Sequence, residues 1–367
     1  MNDPAVESVT AAAYTLPTDA PEADGTLAWD STTIVLVEAT AGGATGIGYT
    51  YGPAACARVI EDTLRDQVVG TDPLDVPGAW EAMVRAVRNQ GRPGVVSMAI
   101  SAVDTALWDL KARLLGVSLC ALLGRVRETV PVYGSGGFIS MSDDDLQEQL
   151  AGWVHGLGIP RAKIKIGERW GRDPERDMAR VQLARKAIGD AAQLFVDANG
   201  GYTRKQAVRL ARRLGDWGVS WFEEPVSSDD LDGLREIRDL IDLDVAAGEY
   251  GYDLAYFHRM LAAGAVDCLQ VDVTRCGGVT EFLRAAGVAA GFGVEVSAHC
   301  APALSAHPMA AIANARHIEY FADHARIERM LLEGAPEPDG GSVRPDPAGA
   351  GTGLTVRRSD AERFRTA

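Results

Sequence analysis

The first 57 residues contain neither lysine nor arginine; Arg58 is the first basic residue of a 367-residue chain whose formal net charge is −15. A nucleic-acid surface needs clustered Lys and Arg, so this balance argues against one; it says nothing of the fold. No stretch reaches the roughly 18 consecutive apolar residues of a membrane span. The opening MNDPAVESV has neither the basic start nor the apolar core of a secretory signal. The five cysteines (Cys56, Cys120, Cys268, Cys276, Cys300) are odd in number and scattered, with no CxxC pair. Neither a disulfide framework nor a zinc ribbon is expected, and a reducing cytoplasm is.

What is present is a series of short apolar strands, each ending in a polar residue. They are Val130–Ser135, Arg161–Ile166 with Lys163 and Lys165, Leu194–Asp197, Val219–Glu223, Val245–Glu249, Cys268–Asp272, Gly293–Ser297 leading to His299, and Arg316–Tyr320 with Glu319. Asp197, Glu223 and Glu249 are spaced evenly, 26 residues apart (197 to 223, 223 to 249). A strand, a helix and two loops take up about 25–30 residues, so these acids fall at one height on consecutive parallel strands. The pattern predicts an α/β fold, a (β/α)7β TIM-like barrel whose C-terminal strand ends form one functional rim.

Before the barrel, Glu7–Leu16 and Thr32–Ala39 are strand-like, with a polar loop at Pro17–Asp30 between them. Pro53–Val69 and Gly78–Asn89 are amphipathic helices, and Val95–Leu115 is a long Ala-rich helix expected between two domains. Residues 1–125 are therefore an N-terminal α+β capping domain, 126–325 the barrel, and 326–367 a return onto the cap. Ser142, Asp173, Thr203, Ser228, Asp253 and Thr280 suit helix N-caps.

Three carboxylates on one rim repel each other unless a cation relieves them. Oxygen-only donors in a half-open site favour Mg2+. Lys163 and Lys165 alternate correctly to face the barrel mouth, where a neighbouring cation lowers a lysine pKa toward that of a general base. Asp272 at the end of one strand fixes the tautomer of His299 on the next. Glu319 suits a hydrogen bond to a substrate carboxylate if protonated, or a helix-capping role. His155, His258, His307, His317 and His324 are read as structural. A Schiff-base aldolase would use Lys163 or Lys165 without the three acids. A metal-dependent amidohydrolase would need an HxH pair on its first strand, which is missing.

At these residues the chain resembles the enolase superfamily, and more closely its mandelate racemase subgroup. The matching pieces are KIK at Lys163–Lys165, DAN at Asp197–Asn199, FEEP at Phe222–Pro225, GE at Gly248–Glu249, Asp272 with CGGVT at Cys276–Thr280, SAH at Ser297–His299, and the Glu319 strand. The resemblance covers the cap, the barrel and the return. It implies Mg2+-assisted abstraction of the proton α to a carboxylate. It further implies Asp197, Glu223 and Glu249 as metal ligands, Lys165 as base on one face, and His299 with Asp272 as acid or base on the other. Lys163, Glu319 and Asn199 then bind the substrate's carboxylate end. The muconate-lactonizing branch, with Lys in place of Asp272 and without His299, fits less well.

The expected reaction is dehydration of an acid sugar to a 2-keto-3-deoxy acid. Racemisation or epimerisation of a 2-hydroxy acid and cycloisomerisation of a sugar lactone are the alternatives, and a non-catalytic protein on this scaffold is the alternative of another class. Pro17–Asp30, with Trp29 and four acids, and the loop around Tyr49–Pro53 are expected to select the substrate. The first offers no cation for a distal carboxylate, which favours an aldonate with a neutral tail. Arg275 or Arg92 would supply that cation for a diacid. A homo-oligomer is the expected state, with no nucleic-acid or membrane partner.

Overall fold

The computed structural model describes residues 5–345 and 348–366. Strands β1 (Ser8–Ala23), β2 (Ala28–Ala41) and β3 (Ala44–Tyr51) form an antiparallel sheet. The helix Val95–Leu114 lies against it and shares its apolar core. Eight parallel strands follow: β4 (Val130–Ser135), β5 (Arg161–Lys165), β6 (Gln193–Asp197), β7 (Val219–Glu223), β8 (Asp244–Ala247), β9 (Cys268–Val271), β10 (Glu295–Ala298) and β11 (Ala315–Phe321). They pair in chain order, and β11 closes on β4.

Alternation along the barrel strands separates two environments. Outward residues such as Ile164, Val196 and Phe222 join the core beneath the helices. Inward residues form two layers. The lower is an apolar plug of Tyr133, Phe195, Trp221, Ala246 and Cys268, with Phe195 stacked on Trp221 at 5.3 Å. Above it stand the charged groups of the rim. Their buried carboxylates and ammonium groups thus rest on an apolar floor, where charge interactions are poorly screened.

The cap differs from expectation at residues 17–30. That segment is the end of a long β1–β2 hairpin with a register shift between Pro17 and Glu22, and its turn is confined to residues 24–27. Asp24 Oδ1 accepts from the backbone N–H of Thr26 (2.6 Å) and Leu27 (2.8 Å), an Asx-type turn. Gly25 at this turn presses on the loop after β5. A Cβ there would lie 2.4 Å from the Gly167 carbonyl oxygen.

Two of the expected N-caps are also displaced. Asp230 caps the helix Leu231–Leu240, accepting from Gly233 N–H at 3.1 Å, in place of Ser228. Thr280 lies inside the helix Gly278–Gly291, and its N–H and hydroxyl donate to Asp104 of the long cap helix (2.9 and 2.6 Å). The cap thereby supplies a capping carboxylate to a barrel helix. Ser142 and Asp253 do cap their helices through their own side chains.

The boundary expected at 325/326 falls within the helix Ala322–Leu331, which follows β11 as a barrel helix. The return also reaches the barrel: β12 (Leu332–Glu333) pairs with β14 (Thr355–Val356), and β13 (Ser342–Val343) pairs with β4. Residues 364–366 then hydrogen-bond β1 of the cap. Among the described residues no helix is long and apolar enough to cross a membrane.

Candidate active site at the barrel rim

Register alone brings three charged groups together. Lys165 pairs with Asp197 across β5–β6, and Asp197 with Glu223 across β6–β7. Glu249 lies just past the end of β8. Gly248 precedes it with φ of 133°, and a Cβ there would meet the Gln270 carbonyl at 2.2 Å. Only glycine fits so close an approach, and the turn keeps Glu249 at the mouth. Backbone strain gathers on the same rim: Asn199, Glu224, Cys300 and Ala301 all have positive φ, as at many functional sites.

Carboxylate oxygens of Asp197, Glu223 and Glu249 lie within 4.8 Å of one another, all buried. Lysines pair with the first two, and Arg275 with Glu249. Lys163 Nζ is 2.5 Å from Glu223 Oε1 and 2.7 Å from Glu319 Oε1, and Lys165 donates to Asp197. Trp221 Nε1 donates to Glu223 Oε2 at 2.9 Å. Glu249 Oε2 accepts no hydrogen bond although it is buried. Three hard oxygen donors gathered at one rim, one of them with an atom that accepts no hydrogen bond, fit a divalent cation such as Mg2+.

Lys163 and Lys165 are both paired with carboxylates. Burial alone would lower both ammonium groups. Glu223 and Glu319 around Lys163, and Asp197 beside Lys165, outweigh it and hold both above the ordinary lysine value. Glu319 faces two cations. Burial pushes its carboxyl up, but Lys163 and His299 hold it well below the usual range. It accepts from Ser135 Oγ (2.6 Å) and Cys300 N–H (3.2 Å).

On the other side of the mouth, His299 Nδ1 is 2.7 Å from Asp272 Oδ2. Thr274 fixes Asp272 Oδ1 through its N–H and hydroxyl, both at 2.7 Å. His299 Nε2 faces Glu249 Oε2 (3.3 Å) and Glu319 Oε2 (3.5 Å). Burial opposes charge on this imidazole, yet Glu249, Glu319 and Asp272 together hold it above the ordinary histidine value.

These groups open into a cavity of about 380 Å³ lined also by Leu27, Trp29, Tyr51, Asn199, Phe321 and His324. Trp29 is anchored through Nε1 to Glu22 Oε2 at 2.9 Å and packs edge-on to Phe138. Asn199 Oδ1 is buried with no partner among the described residues. Of the two candidate distal cations, Arg275 lines the cavity but is paired with Glu249 (3.3 Å) and Asp272 (3.4 Å). Arg92 is bound to Glu281 elsewhere.

His324, read from the sequence as structural, stands in the cavity wall. Its ring stacks on Tyr51 at 3.4 Å. Burial keeps it neutral by lowering its pKa to about 3. Ala301 N–H donates to its Nδ1 at 3.4 Å, which leaves the proton on Nε2. No motif marks it; the only signal is its place just after the last barrel strand.

Comparison with known proteins agrees with this geometry. Residues 145–361 match the model for the enolase C-terminal domain-like family, and residues 10–124 match the mandelate racemase/muconate lactonizing enzyme N-terminal domain. The D-galactarolactone cycloisomerase of Agrobacterium fabrum is 31% identical over 364 residues, covering 95% of each chain. The crystal structure of a mandelate racemase/muconate lactonizing enzyme-like protein from Rubrobacter xylanophilus superposes with a TM-score of 0.95 at 52% identity, covering 99% of this chain and 100% of that one. The L-talarate/galactarate dehydratase of Salmonella typhimurium LT2, liganded with Mg and L-lyxarohydroxamate, does so with a TM-score of 0.91 at 27% identity, covering 100% and 94%.

Proposed function

The chain belongs to the mandelate racemase/muconate lactonizing enzyme family of the enolase superfamily, and from that premise we propose that it abstracts the proton α to a carboxylate with Mg2+ bound by Asp197, Glu223 and Glu249. The observation that carries this reading is the pairing of two acid–base groups across one cavity. Lys165 enters from β5, and His299, held by Asp272, enters from the end of β10. Asp197, Glu223 and Glu249 would hold the Mg2+ ion, which when bound would stabilise negative charge at the substrate's carboxylate end.

In the forward reaction Lys165, released from Asp197 and deprotonated, takes the proton from Cα through Nζ. Lys163, with Glu319 and Ser135 behind it, places a positive charge beside the developing enediolate oxygen. Asn199, which lines the cavity, offers its amide Nδ2–H to the same end. His299 carries its mobile proton on Nε2, because Nδ1 is committed to Asp272. It delivers that proton to the β-hydroxyl as the carbon–oxygen bond breaks. Water leaves, and the enol becomes a 2-keto-3-deoxy acid.

The substrate we propose is a mono-carboxylate with a neutral polyol tail, of the aldonate type. The cavity is walled also by Trp29, Thr32, Tyr51 and neutral His324, and its one guanidinium, Arg275, is already paired with two carboxylates. A second reading, cycloisomerisation of a sugar lactone, is favoured by the near-full-length likeness to a cycloisomerase. We further propose a homo-oligomer in a reducing compartment, the latter supported by five unpaired, buried cysteines; light scattering tests the former.

Proton NMR in D2O with Mg2+, against aldonates, aldarates and sugar lactones, tests the reaction. New 2-keto-acid signals with an aldonate support dehydration. A ring-opened product from a lactone supports the second reading. Turnover of aldarates alone would defeat the mono-acid substrate. Chelation of Mg2+ should abolish turnover and lower the melting temperature, since a ligand at about 100 times its Kd contributes about 2.7 kcal/mol.

A further inference from the structure

We propose that His299 Nε2, Cys300 Sγ and Glu319 Oε2 form a second cation site on the cavity wall, suited to a thiophilic divalent ion of the Zn2+ type. The three atoms make a near-equilateral triangle: Nε2 to Sγ 3.4 Å, Sγ to Oε2 3.3 Å, and Nε2 to Oε2 3.5 Å. Tetrahedral Zn2+ bonded to nitrogen, sulfur and oxygen at its usual distances holds such ligands about 3.4–3.6 Å apart. The triangle therefore needs shifts of only tenths of an ångström to accept the ion.

Three further features support a metal over a plain hydrogen-bond cluster. His299 Nδ1 is tied to Asp272 Oδ2, the carboxylate–histidine arrangement that orients a metal-binding imidazole and leaves the Nε2 lone pair for the ion. Cys300 and Ala301 are both forced into the left-handed region, with φ of 51° and 43°, which turns the thiol back beside its own neighbour's ring. The fourth position opens on the cavity that Cys300 itself lines.

The donor set also separates this site from its neighbour. Asp197, Glu223 and Glu249 offer oxygen alone, which suits Mg2+; sulfur and imidazole suit Zn2+. On binding, the Cys300 thiol and the protonated His299 Nε2 each release a proton to solvent as the sulfur–metal and nitrogen–metal bonds form, with no change of oxidation state. Affinity should consequently fall as pH falls. Occupation would cover Nε2 and stop turnover of the Mg2+-loaded protein. That consequence rests on the role proposed above for His299; the binding does not.

The test is a titration of Mg2+-saturated protein with Co2+, followed optically, and with Zn2+, followed by calorimetry. The expected result is one ion per chain, a near-ultraviolet thiolate-to-Co2+ band, and loss of that band on adding Zn2+. Cys300→Ser should lose the band. It should also weaken Zn2+ binding at least tenfold, because losing even an outer partner of a metal ligand costs about 10–100-fold. Among the described residues no other cysteine belongs to a three-donor cluster, so the band reports Cys300. Should Cys300→Ser fail to fold, Zn X-ray absorption of the unaltered protein should show one sulfur neighbour. An oxygen-only environment, a band that survives in Cys300→Ser, or Zn2+ displaced in simple competition with Mg2+ would overturn the site. Zn2+ bound to sulfur with turnover intact would uphold the site and count against His299 as the acid.

Discussion

Asp272 holds His299 by a 2.7 Å contact to Nδ1, while both hydrogen-bond donors of Thr274 hold Asp272. The imidazole is thereby locked in one orientation and one tautomer. Asp272→Asn would present an amide that can donate as well as accept, freeing the ring to flip. Turnover should fall by about 10²–10⁴-fold, the range for losing a positioned acid–base group. Mg2+ affinity, measured by calorimetry, should stay within a few-fold, since the three rim carboxylates are untouched.

The two faces of the cavity should separate by mutation. Lys165→Ala should abolish both dehydration and solvent exchange at Cα. His299→Gln should abolish dehydration while keeping exchange, because the base on the Lys165 side remains. Deuterium incorporation in D2O reads this directly. Loss of exchange in His299→Gln, with the protein folded, would assign proton abstraction to the wrong face.

His324 should act on binding more than on chemistry. Its neutral Nε2–H is a donor in the cavity wall for a substrate hydroxyl. His324→Phe keeps the stack on Tyr51 and removes the donor. KM for a polyhydroxylated acid should rise about five- to tenfold, the worth of one neutral hydrogen bond, with kcat changed less. An equal KM for substrates with and without hydroxyls in the unaltered protein would argue that the donor is idle.

The hairpin that carries Trp29 should loosen in alkali. Burial, then the charge of Asp323, push the Glu22 carboxyl up to about 8. The folded state thus binds this proton more tightly than the unfolded chain. The stabilisation is complete below the ordinary carboxylate range and is lost as pH rises through about 8. Glu22→Gln, which keeps an acceptor for Trp29 Nε1, should flatten the pH dependence of Trp29 fluorescence, read in a variant whose other tryptophans are replaced.

Gly25→Ala should be costly although the turn is exposed on its outer side. The added Cβ meets backbone at 2.4 Å, and backbone cannot swing away as a side-chain tip can. About 1–3 kcal/mol of overpacking is expected, read as a lower denaturation midpoint, with KM raised because the hairpin can no longer seat.

The barrel was legible because its signals are local and redundant. Each strand is a short apolar run with a charged terminus, and the even 26-residue spacing of Asp197, Glu223 and Glu249 is the repeat of the fold itself. The β1–β2 hairpin was not. Pro17, Pro21 and a string of acids depress strand propensity, and the segment is extended because antiparallel pairing and packing on the barrel override that propensity. The partners of the lysines were hidden for a related reason. The sequence places Lys163 beside another cation, but only the folded rim shows that Glu223 and Glu319 stand nearer. His324 escaped notice because a histidine in a helix carries no pattern; its tautomer is set by Ala301, 23 residues away in sequence.

Gly25 and Gly167 meet at a contact that admits no side chain, whereas the hairpin strands on either side of it face the cavity with residues under no such constraint. The protein is thus divided into a fixed joint and an interchangeable wall. A lineage could exchange Leu27, Trp29 or Thr32 for a new diet of substrates while the groups that move the proton stay on the barrel, out of reach of the change. Specificity and chemistry are inherited on separate parts of one chain, and the joint between them is the part least free to vary.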